Sequence, residues 1–275
     1  MEIKLAENKI EWNKWAQKND ASFLQSWEWG EFLIAEGKEV ERLSVIEGEE
    51  VLAQAQVVYS ALPFGWKYGF CPRGPAFRNY QLSMINFQSI SNDQFSKIYT
   101  EFTKYLKKNN FIFFRVEPSF VNLKSKILIH KSPDVNPRAT IILDLQKTED
   151  ELLAAMHEKT RYNIRLASKK DLKIVRLKDL NVLMSLMKKT GERDKFRLHS
   201  ENHYKQVLSS PSVCQLSVEI ETTDYGLQTT AVNGGDSVVR SPSAVDHPSI
   251  ATAVFVGFGD TFTYLFGASD YEYRI

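Results

Sequence analysis

Cysteine is almost absent from this chain of 275 residues: Cys71 and Cys214 are the only two, far apart in sequence. That excludes a disulfide framework and leaves no thiolate pair with metal-ligand spacing. Histidine is scarce as well, five in all, and none stands at ligand spacing from a cysteine or a carboxylate cluster, so no metal is expected. Long apolar runs are missing. Nothing approaches the ~18 residues that a spanning helix needs, and the opening MEIKLAENKIEWNKWAQKND is polar, unlike a signal peptide. A soluble, cytoplasmic protein is the expectation. The chain also lacks a strong overall charge: 35 Lys+Arg stand against 34 Asp+Glu, which excludes a polycation that coats nucleic acid. No Walker loop or dinucleotide fingerprint occurs, so no cofactor is expected.

What is there is ordinary in bulk and uneven in detail. Hydrophobic residues make up 43% and charged residues 25%, the balance of a folded globular protein with room for two domains. Charge is segregated. His157–Lys205 carries 14 Lys/Arg against 6 Asp/Glu, whereas Gln206–Ile275 carries two arginines against 8 acids. A basic patch beside an acidic segment suits one anionic partner held at one face.

Hydrophobic periodicity predicts helices over Glu11–Lys18 and Trp27–Gly37, with Gly37 as the stop of the second. Strands follow over Val40–Ile46 and Val51–Tyr59, joined by the turn EGEE, then Trp66–Phe70 leading into the loop CPRGP (Cys71–Pro75). Asn92–Asn109 is amphipathic, with Phe95, Ile98, Tyr99, Phe102, Tyr105 and Leu106 on one face. Phe111–Glu117 reads as a buried strand stopped by Pro118. Helices alternating with strands indicate an α/β layer fold.

The turn-rich SPDVNPR (Ser132–Arg138) marks a boundary, giving domains 1–137 and 138–275. A strand Ala139–Leu145 is expected next. One helix over about Glu149–Lys169 should open on a capping box of Thr148 and Glu151. Arg161, Arg165 and Lys169 recur at four-residue steps and would share a face of that helix. Helices near Lys178–Arg193 and Ser200–Ser209, a strand Cys214–Glu221 and a strand pair Ile250–Phe258 and Thr261–Phe266 complete the pattern. Residues 222–248, rich in Gly, Ser, Thr, Asp and Pro, read as a loop insertion.

Six blocks resemble the FemA/FemB/FemX family of peptidoglycan bridge-forming aminoacyltransferases. They are FLQSWEWGEF (Phe23–Phe32), YGFCPRGP (Tyr68–Pro75), RVEP (Arg115–Pro118), TIILDLQKTEDELLAAMHEKTRYNIRLASKK (Thr140–Lys170), KKTGERDKF (Lys188–Phe196) and GFGDTFTYLFGASDYEYR (Gly257–Arg274). The resemblance implies two tandem GNAT-like α/β domains. It implies transfer of an amino acid from aminoacyl-tRNA to the stem-peptide amine of a UDP-linked or lipid-linked peptidoglycan precursor, with peripheral contact at the inner membrane face. The basic-and-glycine CoA loop of true GNAT enzymes is absent, which argues against CoA. In the family the chain would continue past Ile275 into further structure, so the second domain is expected to be incomplete. The rival readings are an inactive relative that binds a precursor or partner, and a transferase that uses another amine acceptor.

The proposed chemistry needs no nucleophile motif. An aminoacyl ester is already activated, so the enzyme must orient the amine, take up its proton and stabilise an oxyanion. Glu117 is the candidate catalytic carboxylate; an ion pair with Arg115 or Arg73 is the structural alternative. Arg73, in a loop stiffened by proline and glycine, can grip a phosphate or carboxylate; a plain structural turn is its alternative. Arg193, Arg197, His199 and Tyr204 correspond to a region that, by resemblance, holds the precursor's diphosphate. His199 aligns best with the phosphate-binding arginine there, and Arg197 stands nearby. The family's first-domain phosphate lysine has no counterpart; Glu31 and Phe32 stand there instead. Tyr264 can line the cleft or pack as a strand residue. Lys159, Arg161, Arg165, Lys169 and Lys170 can meet the tRNA backbone or form a solvated helix face. Trp27 and Trp29 read as core.

Overall fold

A computed structural model describes residues 1–78, 92–118, 130–220 and 248–273. The chain divides into two compact units. Unit 1 holds residues 1–140 together with 256–263, and unit 2 holds 141–255 with 264–275.

Unit 1 begins with β1 (Glu2–Leu5), then α1 (Lys9–Lys18), a 3₁₀ turn (Phe23–Gln25) and α2 (Trp27–Ala35). Asn8 caps α1 through Oδ1, and Ser26 caps α2 by accepting from the Trp29 N–H. Gly37, at φ 78°, supplies the left-handed stop expected after α2. β2 (Glu39–Glu47) and β3 (Glu50–Ala61) form a long antiparallel pair. β3 then pairs with two successive strands: β4 (Lys67–Cys71) along its second half and the two-residue β5 (Ala76–Phe77) near its start. CPRGP is the crossing between them. α3 (Asn92–Lys108) leads into β6 (Phe111–Val116), which lies parallel to β4. The sheet order is β1-β2-β3-β4-β6 with β5 beside β3.

Period-2 alternation divides the strand residues between two faces. Leu43, Val45, Ala53, Ala55, Val57 and Cys71 pack with Phe95, Ile98, Tyr99, Phe102 and Leu106 of α3, so the apolar stripe read from the sequence is the core. The opposite face of β2 and β3 presents Arg42, Ser44, Gln54 and Gln56, all buried. Of these, Arg42 bonds to α2 and Gln56 to the 3₁₀ turn.

Unit 2 comprises α4 (Glu149–Ala155), α5 (Glu158–Ala167), β7 (Leu172–Arg176), α6 (Leu180–Asp194), α7 (Glu201–Ser209), β8 (Val213–Ile220) and, apart from the hairpin tip 256–263 that groups with unit 1, β9 (Ser249–Phe258) and β10 (Thr261–Ser269). Its sheet order is β10-β9-β8-β7. The two-residue Gly259–Asp260 turn, with Gly259 at φ 57°, closes the expected hairpin. Buried Gln215 links β8 to the start of α6: its Oε1 accepts from the Asp179 N–H at 2.8 Å, and its amide donates to Thr252 Oγ1 at 3.1 Å.

Three expectations need correction. Ala139–Leu145 is not a strand: it is irregular and exposed, with Ile141 at 86%. β propensity alone cannot hold a strand, and among the described residues none pairs with it. The single helix over Glu149–Lys169 is two helices. The Thr148–Glu151 capping box is present, but Met156 and His157 are extended, and His157 Nδ1 restarts the helix by accepting from the Lys159 N–H. Lys169 therefore lies beyond α5 and shares no helical face with Arg165. β1 and β7 were not anticipated. The 222–248 segment lies, apart from its last residue, outside the described residues.

Candidate functional site

β4 and β6 are the parallel pair of the unit 1 sheet, and they end together at Cys71 and Val116. Ligands of α/β sheets bind outside the carboxyl ends of such strands. CPRGP and Glu117 lie at this end.

Arg73 adopts φ 50° and the Gly74–Pro75 peptide is cis. The Glu117 N–H donates to Cys71 O at 3.3 Å and Gly74 O at 2.9 Å, which fastens the loop to the end of β6. The Glu117 carboxylate accepts four further hydrogen bonds. Oε1 takes the N–H groups of Val135 (3.3 Å) and Asn136 (3.1 Å). Oε2 takes Asn136 Nδ2 (2.6 Å) and the Arg73 N–H (3.3 Å). The Arg73 guanidinium donates through Nη2 to Pro137 O. The structural alternative, an ion pair with Arg115 or Arg73, is not formed; amide donors take its place. Burial works to raise the Glu117 pKa, but the Asn136 side chain, the Asn136 N–H, and the Arg73 and Val135 N–H groups together hold it below its ordinary value. Through these bonds the carboxylate ties Val135 and Asn136 to the CPRGP loop.

That arrangement fixes a pH dependence. A folded-state pKa below the unfolded value stabilises the protein above the unfolded pKa, and the gain is lost as pH falls through the folded value. Unit 1 is expected to lose stability as the solution is acidified below about 4.5, the ordinary value for this group. Glu117→Gln turns one acceptor oxygen toward its donors as an NH₂. It should cost about 1–3 kcal/mol at neutral pH and flatten the acid limb. Thermal melts of both proteins from neutral to acid pH check this; an acid limb equally steep in the variant would show that Glu117 does not set it.

Beneath the loop lies a polar network that sequence reasoning missed. Gln25, 1% exposed, donates to Pro72 O at 2.6 Å and accepts from the Gln56 N–H at 2.7 Å. Gln56 Oε1 accepts from Arg42 Nε at 3.0 Å, and Gln56 Nε2 donates to Leu24 O at 2.9 Å. Arg42 Nη2 donates to Trp27 O at 2.9 Å and to Glu31 Oε1 at 2.8 Å. Its guanidinium lies 3.8 Å from the centre of the Trp27 ring. Glu31 is thus the partner of a buried cation. The sequence signal for this network was polar residues at period 2, Arg42 and Ser44 in β2 and Gln54 and Gln56 in β3.

The other candidates belong to unit 2. Arg193 forms a bidentate pair with its neighbour Asp194, at 2.7 and 2.8 Å. Arg197 and His199 are exposed on the connection between α6 and α7. His199 stacks on His203 with ring centres 4.1 Å apart. Tyr204 is 1% exposed, packs edge-on against Phe266 and accepts the His199 N–H at 3.4 Å; it supports the connection from below and offers no open ring face. Burial raises its pKa. Tyr264 is exposed beside Phe255. In the basic stripe, Lys159, Arg165, Lys169 and Lys170 face solvent. Arg161 instead donates to Ala154 O and Met156 O, satisfying carbonyls that the end of α4 leaves without partners. Among the described residues no group of three metal-ligating side chains occurs, and no helix is long and apolar enough to cross a membrane.

This α/β chain thus carries a loop clamped at the ends of parallel strands in one unit and an exposed basic connection in the other. The FemAB family model matches residues 8–128 and 128–210, and the chain belongs to that family. Among curated proteins it is similar to the lipid II:glycine glycyltransferase of Staphylococcus epidermidis strain RP62A. The two are 35% identical over 75 residues, 26% of this chain and 18% of the relative. The lipid II:glycine glycyltransferase of Staphylococcus aureus is 33% identical over 75 residues, again 26% and 18%. The match thus spans less than a fifth of these relatives' length. The crystal structure of FemX has a similar fold: TM-score 0.73 at 16% identity, covering 100% of this chain and 82% of that one.

Proposed function

We propose that the chain is an aminoacyltransferase of peptidoglycan cross-bridge formation, which moves an amino acid from aminoacyl-tRNA to the stem-peptide amine of a precursor. Membership of the FemAB family supports the reaction class, and the glycyltransferase relatives support lipid II as the acceptor. We further read the two units as tandem GNAT-like domains, divided near residue 138, in a cytoplasmic protein that needs no metal or cofactor.

The observation that carries this reading is the clamped loop at the carboxyl ends of β4 and β6. The acceptor amine attacks the ester carbonyl of the aminoacyl-tRNA. The tetrahedral intermediate collapses to an amide, and the proton lost by the amine balances the one gained by the departing ribose hydroxyl. With the ester already activated, binding and orientation supply much of the rate. Arg73 has five N–H donors, and its contact with Pro137 uses one arm of the fork. The remainder can grip the acceptor's carboxylate or phosphate. Glu117 serves as a positioning residue for that arginine. Arg193, Arg197 and His199 form the anion-binding edge of unit 2, with Tyr204 as its support and Tyr264 at its margin. Lys159, Arg165, Lys169 and Lys170 meet the tRNA backbone, and Arg161 holds the helix pair that presents them.

The test is a transfer assay with a pool of labelled aminoacyl-tRNAs and precursors carrying lysine or diaminopimelate, followed by mass. The expected result is a gain of one amino-acid residue. Arg73→Ala should lower kcat/KM about tenfold, the scale of one charge-assisted hydrogen bond, with no loss of thermal stability. A folded protein that transfers nothing from any aminoacyl-tRNA would overturn the reading.

A further inference from the structure

The opposite end of the unit 1 sheet carries aromatic side chains that the fold does not use. β3 and β4 are joined through Leu62–Trp66. At its tip Phe64 takes φ 64° and Gly65 φ 75°. Phe64 is 91% exposed and Trp66 53%, with ring centres 6.2 Å apart. A left-handed backbone is unfavourable for a bulky residue, and a nearly bare phenylalanine gains nothing from packing. β6 starts beside this tip, where Lys67 pairs with Phe111. Ile112 and Phe113 of β6 are about half exposed, and Phe113 stacks on Tyr68 at 4.9 Å. Apolar exposure therefore continues from the tip along β6, the last strand of this sheet among the described residues.

Charge at the same end is positive where it is uncompensated. The Lys67 N–H donates to Asn110 O, and the Asn110 N–H to Lys107 O, so the end of α3 abuts the start of β4. Lys67 pairs with Glu39 and Lys104 with Glu101. Glu41 accepts from the hydroxyls of Tyr59 and Tyr105. Lys107 and Lys108 are exposed and make no ion pair among the described residues.

We infer that this end of unit 1, Phe64 and Trp66 at the tip with Ile112 and Phe113 behind and Lys107 and Lys108 beside them, docks on the surface of an anionic lipid bilayer. Aromatic rings that protrude from a turn partition into the interfacial layer, where indole is especially favoured. Lysines beside them add attraction to anionic headgroups. A soluble acidic protein would match the lysines but not a bare aromatic tip. The inference deepens the proposed function, on which it rests: a lipid-borne acceptor lies at such a surface. The strand run from Lys67 to Arg73 covers about 20 Å, a span suited to an acceptor that extends from the bilayer to the clamped loop.

The experiment is co-sedimentation of the full chain with vesicles of phosphatidylglycerol and phosphatidylcholine, against phosphatidylcholine alone, with transfer to a water-soluble acceptor peptide measured in parallel. The wild type should sediment with the anionic vesicles. Phe64→Asn/Trp66→Ser, in which asparagine tolerates the left-handed backbone, should weaken partition at least about tenfold. Lys107→Ala and Lys108→Ala should each weaken it about fivefold. Transfer to the soluble peptide should be unchanged in all of them. Absence of sedimentation, or equal sedimentation of the aromatic double variant, overturns the inference, as does a patch whose loss abolishes self-association of the chain without vesicles. Vesicle binding with the expected variant losses, but no transfer to any acceptor, supports the docking surface and removes the transferase reading alone.

Discussion

Gly30→Ala should lower the stability of unit 1 by about 3 kcal/mol, although helix propensity taken alone predicts the opposite sign. Gly30 lies within α2, where alanine is intrinsically better by about 1 kcal/mol. A Cβ built there would stand 2.2 Å from Gln56 Oε1 and 2.3 Å from Arg42 Nη2. Both atoms end flexible side chains, and on a surface they would swing aside at little cost. Here they cannot do so freely. Arg42 Nη2 is bonded to Trp27 O and Glu31, and Gln56 Oε1 to Arg42 Nε. Displacing either breaks several of these bonds and leaves a buried guanidinium short of partners, and such losses run to about 3–5 kcal/mol. Chemical denaturation of the variant decides the sign. A variant as stable as the wild type, or more stable, would mean that the network relaxes freely around the new methyl group.

The same network marks where sequence reasoning stops. α3 was legible because its apolar stripe is continuous and its burial needs only one sheet face. β2 and β3 were legible as strands for the same reason. Polar residues at period 2 in a strand usually face water, and Arg42, Gln54 and Gln56 do not. They are buried because α2 and the turn before it cover that face, and the partners lie 14 to 31 residues apart. Such pairings leave no local pattern. The resemblance block FLQSWEWGEF contained Gln25, Gly30 and Glu31 and pointed to the place without the reason.

Glu117 follows a similar course. Its position at the end of a buried strand was readable from FIFFRVEP. Its partners were not, because they are backbone and amide donors of Val135 and Asn136, 18 and 19 residues away in a turn-rich stretch. Sequence offers arginines as the natural partners of a carboxylate, and folding supplied N–H groups. Ala139–Leu145 failed in the other direction: a run with strand composition lacks a neighbour among the described residues. In each case the local element was a matter of composition and period, and its partner was a matter of topology.

Gln25→Leu should remove both stability and transfer, through one defect. Leucine keeps the volume but withdraws the acceptor of the Gln56 N–H and the donor to Pro72 O. Two buried backbone groups then lack partners, at about 1–3 kcal/mol each, so unit 1 should lose about 2–6 kcal/mol. The Pro72 carbonyl immediately precedes Arg73, whose guanidinium is aimed by the loop. Once that anchor is gone, Arg73 is no longer held at the strand ends, and kcat/KM should fall about tenfold at a temperature where the variant is still folded. The decisive measurement is the pair. If Gln25 acts through Arg73, Gln25→Leu/Arg73→Ala should transfer no worse than either single variant, while its stability should match Gln25→Leu alone. Additive losses of activity would give Gln25 a part independent of the loop. Full activity in a folded Gln25→Leu would mean that the Glu117 clamp holds Arg73 without help from below.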